Sequence, residues 1–421
     1  AESSSGFCAA GTGTAATTSV YLTNTTRVSV RAVVTSTTGD TSAPAVQQAV
    51  VVAPRSVAEI DPADGLPAGS HAASVAVAGG GVAVTQAVSG SAGWSAAPCA
   101  SAVATQWLFA SGSTAGGDTL TLSLFNPTAS AALADVSFLT PNGLLTPQPF
   151  QGIAVAPGAL VDEDVGSYAQ NLPELSTLVS VVSGGLVSDE LEQFAAGPPT
   201  GLSLQLGSVQ TSTSWHLAST TVLAGSTVTF DVANPSAAPA TVTFDATLPS
   251  ATVVPHSLVV AGSSVATFSP SSTPGWPQRA PFATTVRASA PVVVGRTVSA
   301  PPSAPGPGRG GSPAAPSAAT RWLVAGPGSS ADPVQSGAAI ESVSVADDAS
   351  VPVRVRLAPL AGSGRAVALD LGPGQPAVVP AGDLHGWPLV VSATGPVVVE
   401  EDDGPSGAPG VLAWPGLPLP G

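Results

Sequence analysis

The chain has no lysine: all eleven of its basic residues are arginine. That excludes a P-loop lysine on a nucleotide phosphate, a Schiff-base lysine for pyridoxal phosphate, and the protein-kinase lysine. Lys–Asn isopeptide crosslinks are excluded as well. Methionine is absent, even at position 1, which reads as a mature or trimmed product whose leader has been removed. Charged residues make up only 9% of the 421, against about 25% in an ordinary soluble protein. Most of those present are acidic, and the formal net charge is −15. Such a balance argues against nucleic acid and against an anionic membrane surface, both of which need Lys and Arg. No run of 18 uninterrupted apolar residues occurs, so nothing is expected to span a membrane. Cysteine is limited to Cys8 and Cys99. Their spacing rules out a zinc site or a CxxC pair and predicts a disulfide closing the first repeat. A loop of that length contributes about 4–5 kcal/mol in the chain-entropy model.

Turn formers are abundant, with 46 Gly and 42 Pro, which disfavours long helices. One phrase is written four times: Gly65-Leu66-Pro67, Asn171-Leu172-Pro173, Gly275-Trp276-Pro277 and Gly386-Trp387-Pro388. A pair of valine-rich runs follows each, with Gly80-Gly81, Gly184-Gly185, Ala290-Pro291 or Gly395-Pro396 between them. Each pair reads as a hairpin. Upstream, segments 17–24, 119–126, 227–234 and 340–347 alternate apolar and polar residues and end in Asn or Asp. Alternation of period two is a strand with one buried face. The next strand continues it through Val28/Val30, Val136/Phe138, Val242/Phe244 and Val353/Val355. A third shared turn lies at 53–56, 156–159, 261–264 and 372–375. Trp107, Trp215 and Trp322 open the last three repeats, with Phe7 as the counterpart in the first.

These spacings predict an all-β chain of four tandem Ig-like antiparallel β-sandwich repeats joined by Pro/Gly-rich linkers. A four-bladed propeller-like ring is the alternative. The expected units are repeats at 1–99, 100–205, 206–302 and 321–406, a Pro/Gly/Ser-rich linker at 303–320, and a Gly/Pro-rich tail at 407–421 that docks back through Trp414 or stays disordered. The stretch 195–208 reads as a second linker.

Chemical candidates are few. GPGRGG at 306–311 matches a dinucleotide fingerprint but lies in the proline-rich stretch, without the strand and helix its mechanism needs. No Ser sits in GxSxG. His71, His216, His256 and His385 are scattered, none at metal spacing. A Ser–His–Asp set assembled in space is left open, since geometry and not sequence defines it. Acidic groups at 162–164, at Asp189, Glu190 and Glu192, and at 400–403 offer oxygen ligands for calcium, but no loop has an EF-hand pattern. They read as solvated patches. Trp107, Trp215 and Trp322 are candidates for a glycan-stacking face, and their recurrence at one position favours a core role. Asn24-Thr25-Thr26 is a sequon, but Asn24 also occupies the shared turn position.

Repeat two carries W-x-F-x-x-G-S-T…L-x-L-x-N-P through Trp107, Phe109, Gly112, Ser113, Thr114, Leu122, Leu124, Asn126 and Pro127, preceded by Trp94…Cys99. In this pattern the chain resembles uncharacterised exported proteins of high-GC Gram-positive bacteria built from tandem Ig-like sandwiches. The resemblance implies fold and location and transfers no catalytic residue. Absence of lysine agrees with GC-rich coding. The expected function is non-enzymatic: a secreted or cell-surface structural, scaffold or protein-interaction array, with an envelope protein or cell-wall polysaccharide as partner and no cofactor. A glycan-binding array and a hydrolase with an unrecognised site are the alternatives. Linked sandwiches predict a rod hinged at 303–320.

Overall fold

The computed structural model describes residues 5–10, 16–40, 42–195, 199–248, 251–301, 303, 308–325, 338–361, 364–384, 387–405 and 412–419. In the first repeat, eight strands follow one another: β1 (Ser5–Cys8), β2 (Ala16–Asn24), β3 (Val30–Thr38), β4 (Val46–Val52), β5 (Val57–Ile60), β6 (His71–Val77), β7 (Val82–Gly90) and β8 (Gly93–Pro98). They form two antiparallel sheets, ordered β1-β6-β3-β4 and β5-β2-β7-β8. Alternation places Val20 and Leu22 of β2 against Ala32 and Val34 of β3, Val75 of β6 and Val84 of β7 in a dry interior.

The plan recurs. The counterparts of β2 are Thr119–Phe125, Thr227–Asn234 and Ala338–Asp347; those of β8 are Gly201–Leu206, Gly308–Pro313 and Leu412–Pro415. Repeats two, three and four each have their own core. The architecture is therefore all-β and antiparallel, as the alternation predicts, and it is built of paired sheets. Val28 departs from the expected pattern: it is 65% exposed in the turn ahead of β3, and the buried alternation begins at Val30. The third shared turn uses one left-handed residue in every repeat, at Arg55, Gly158, Ser263 and Gly374.

The paired valine runs are not hairpins. β6 pairs with β1 and β3, whereas β7 pairs with β2 and β8. Gly79, Gly80 and Gly81, all at positive φ, carry the chain across from one sheet to the other. In repeats three and four no turn intervenes. Phe282–Ala300 is one strand of 19 residues, and Leu389–Pro405 one of 17. The first half of the 19-residue strand pairs with Ser212–Thr220 and Ala240–Leu248, the second half with Thr227–Asn234 and Gly308–Pro313.

The stretches expected as linkers are strands. Gly201–Leu206 within 195–208 and Gly308–Pro313 within 303–320 each extend a sheet as β8 does. Residues 302 and 304–307 lie outside the described part of that expected linker. The four β8-type strands meet around one axis, each against the next, and the last returns to β8. Repeats one and four share an apolar cluster of Tyr21, Trp94, Leu323, Trp414, Leu417 and Leu419. The chain thus closes into a ring of four sandwiches, not a hinged rod. It is not a propeller of single four-stranded blades either: repeats one and two are each two separate sheets, and in repeats three and four the long strand joins both halves into one eight-stranded sheet. From the expected tail, Leu412–Pro415 and Leu417–Pro418 are strands, and Trp414 docks on repeat one; residues 407–411 and 420–421 lie outside the described residues.

Candidate functional site

Cys8 and Cys99 form the expected disulfide, joining β1 to the segment after β8. Trp107, Trp215 and Trp322 are 1–2% exposed, so none offers a face to a glycan. Each indole N–H instead donates to the carbonyl at the start of the β7-type segment: Leu186 at 3.0 Å, Val292 at 3.0 Å and Val397 at 2.9 Å. The tryptophans clamp the point where the chain changes sheets. Phe7 is not their counterpart. It bridges Ala100 as Leu108 bridges Ser208 and His216 bridges Ala315, which puts Gly6 in the tryptophan position. A Cβ on Gly6 would meet a Val84 methyl at 2.6 Å, and the nearby disulfide ties this repeat instead.

Asn24, Asn126 and Asn234 are fully buried and lock their turns identically. The Asn126 amide donates to the carbonyls of Ser130 (2.8 Å) and Val155 (3.0 Å) and accepts from the N–H (3.0 Å) and hydroxyl (2.8 Å) of Thr128. Asn24 makes the same bonds, so the sequon is occupied by structure. In repeat four the residue is Asp347, which accepts from the Ala349 N–H at 2.6 Å and whose second oxygen is buried without a partner among the described residues. Burial raises its pKa.

His71 bonds the Pro67 carbonyl at 2.8 Å, and His256 stacks on Phe268 at 4.1 Å. His385 lies outside the described residues. His216 is different: Nδ1 lies 3.1 Å from Asp348 and Nε2 3.2 Å from the Ser214 hydroxyl. The hollow beside it measures about 20 Å³. Among the described residues no group of three or more His, Cys, Asp or Glu is arranged to hold a metal ion.

The unexpected chemistry lies at the four junctions of the ring. Thr85, Asp189, Gly295 and Glu400 occupy one register, opposite Tyr21, Ser123, Asp231 and Ser344 on the β2-type strands. Each faces the preceding repeat. At the first junction, Asp189 accepts from the Ala9 N–H (2.8 Å) and the Gln86 amide (2.6 Å), beside a dry cluster of Ala10, Val88, Ala97, Leu202 and Leu204. Burial raises its pKa to about 7 despite those donors. At the third junction, Glu400 accepts from Arg296 (3.4 Å) and from the Ser219 N–H (3.3 Å). Arg296 also donates to Thr220 (3.0 Å) and to the Ser219 carbonyl. Asp402 is held by the hydroxyls of Ser344 (2.6 Å) and Ser342 (3.0 Å). The fourth junction is the aromatic cluster that closes the ring.

The second junction has Gly295 in that register, and a cavity of about 160 Å³ opens beside it. Its walls include Ser111, Glu174, Glu192, Asp231, Thr297 and Arg309. Burial raises the Glu192 pKa strongly, and neighbouring Glu190 adds to the shift. Asp231 is pushed to about 7 and Glu190 to about 8, each chiefly by burial. Arg309 donates to Asp118 at 3.1 Å and lies 4.3 Å over the Phe194 ring. The expectation of solvated acidic patches fails at Asp189, Glu190, Glu192, Glu400 and Glu401, which are all buried. Ser111, Asp231 and Arg309 were missed. The one available signal was charge inside strands that otherwise alternate with valine.

Residues 81–381 match DUF5719, described as a family of unknown function. The chain belongs to the DUF5719 family. The matched part of this DUF5719 chain runs from the sheet-switching glycines of repeat one to Ala381 in repeat four. No curated protein matches it. Among solved structures, the crystal structure of Thermotoga maritima 1070 is similar over 25% of this chain and 94% of that one, at 13% identity and a TM-score of 0.23. Among the described residues no helix is long and apolar enough to cross a membrane.

Proposed function

We propose that this DUF5719 protein is a non-enzymatic, extracytoplasmic scaffold of the bacterial cell envelope. Its rigid ring presents the outer sheets to an envelope protein or to cell-wall polysaccharide. The observation that carries this reading is ring closure: buried side chains at all four junctions hold the sandwiches in one orientation, which suits a platform better than a flexible tether. The disulfide fits an oxidising compartment. Cell fractionation combined with thiol labelling tests both halves. The expected result is oxidised Cys8 and Cys99 in the envelope fraction; free thiols in the cytosol overturn the reading.

One arrangement favours a second reading. Ser214, His216 and Asp348 are linked in the order of a hydrolytic triad. The adjoining hollow is too small for an acyl substrate, which makes a structural lock between repeats three and four the better account. Labelling of Ser214 by a fluorophosphonate probe would reverse that preference.

A further inference from the structure

The first and second junctions differ position by position. In the first, Ala10, Val88, Leu191 and Leu202 form an apolar cluster, and the buried Asp189 and Gln86 beside it bond each other. The second junction places Ser111, Glu192, Thr297 and Arg309 at the same positions. The register is fixed by pairing: Val88 opposes Thr18 and Glu192 opposes Leu120, each six residues before the buried asparagine of its repeat. An apolar seal was therefore available to this fold, and the second junction has a polar cavity in its place.

Some polar groups there are paired, Thr297 donating to Asp231 at 3.0 Å and Thr267 to Glu174 at 3.2 Å, but two are not. Ser111 and Glu192 are 6% and 4% exposed, both line the cavity, and among the described residues the Ser111 hydroxyl and Glu192 Oε1 have no hydrogen-bond partner. Unpaired groups at such depth are costly, because they have lost water without gaining a partner. Carboxyl groups also outnumber cations in the lining. Glu174, Glu192 and Asp231 line the space with Arg309 as its single cationic side chain, and Arg309 already serves Asp118. Apolar wall is supplied by Pro173, Leu175 and Val265.

We infer that this cavity binds a primary ammonium group carried on a short aliphatic chain. An ammonium brings three N–H donors and one positive charge in a compact head, and the methylenes match the apolar wall. An anion would face the carboxyls, a neutral alcohol brings one O–H donor and no charge, and among the described residues no three His, Cys, Asp or Glu converge on a metal ion. The chain has no lysine of its own, so the guest comes from outside: a free amine, or a lysine side chain of a partner. Binding is linked to protons. The groups around the guest are Glu190, Glu192, Asp118, Glu174, Asp231 and Arg309. Those whose pKa values burial raises ionise when the cation arrives, so binding releases protons and strengthens as pH rises from 6 to 8.

Titration calorimetry on the whole chain, in two buffers of different ionisation enthalpy, tests this with n-butylamine, 1-butanol and N-acetyl-lysine methylamide. Butylamine should bind saturably, at least tenfold more tightly than butanol, with proton release and a gain of threefold or more between pH 6 and pH 8. Binding of the lysine amide as well identifies a partner side chain as the source; butylamine alone identifies a free amine. Glu192→Gln should weaken binding tenfold or more. The double variant Glu192→Val, Thr297→Leu carries the first junction's residues at two of those four positions, should fold, and should not bind. Equal binding of butanol, tighter binding of acetate or calcium, no saturable heat, or full binding by the folded double variant overturns the inference.

Discussion

Replacing Asn126 with Asp changes one NH2 group to oxygen and leaves volume and shape alone. The buried amide donates to the carbonyls of Ser130 and Val155 at 2.8 and 3.0 Å. A carboxylate there accepts only, so two donors vanish and two carbonyl oxygens face another oxygen at contact distance. Each neutral bond contributes about 1 kcal/mol, and burying an unpaired charge adds a further 1–3 kcal/mol. Asn126→Asp should therefore lower stability by about 3–5 kcal/mol at neutral pH. Repeat four supplies the mirror experiment. Asp347 already occupies the equivalent place with one oxygen unpartnered among the described residues, so Asp347→Asn should stabilise by about 1–2 kcal/mol. Urea unfolding followed by tryptophan fluorescence gives both values, and hydrogen exchange of strand Thr119–Phe125 localises the first. An Asn126→Asp midpoint equal to the parent's, or no gain from Asp347→Asn, would refute the role assigned to the turn amide.

Other consequences follow from burial. The carboxyls of Asp189, Glu190 and Asp231 keep protons up to about 7, 8 and 7 in the folded chain, against about 4 when unfolded. Because the native state binds more protons between those values, stability should fall as pH rises from about 4 to 8, and Glu190→Gln should flatten the fall in melting temperature. Arg296→Ala strands buried Glu400 and should cost about 3–5 kcal/mol; Arg296→Met with Glu400→Met should recover most of it in denaturant melts. Trp215→Phe removes the N–H that reaches Val292 and should cost about 1–3 kcal/mol without altering any glycan binding, measured by melting and an array screen. Reducing Cys8–Cys99 should lower stability by about 2–5 kcal/mol, read from melts with and without reductant.

The four repeats were legible because their signals are local. A valine on alternate positions, an asparagine that bonds its own turn and a left-handed residue at the third turn each write their structure into a few residues. Pairing is not local. Two valine runs around Gly80-Gly81 read as a hairpin, yet they enter different sheets, and only the sandwich as a whole decides that. The axis strands were hidden for another reason. Gly308–Pro313 and Gly201–Leu206 look like linker because the axis has little room for side chains: a Cβ on Gly201 would lie 1.8 Å from the Arg309 carbonyl oxygen. The same crowding explains the chance GPGRGG match, whose Gly308, Gly310 and Gly311 lie on an axis strand. The junction groups were half legible. Charges in Val187–Phe194 stood out against the valine-rich background, but which neighbouring repeat covers them depends on the ring.

Ring closure is the claim on which the rest depends, and small-angle X-ray scattering of the intact chain in solution tests it most directly. A closed arrangement predicts a radius of gyration near that of one compact body of this length, about 22 Å, and a single-peaked distance distribution. A clearly larger radius with a long tail in that distribution, as sandwiches strung end to end would give, would contradict it.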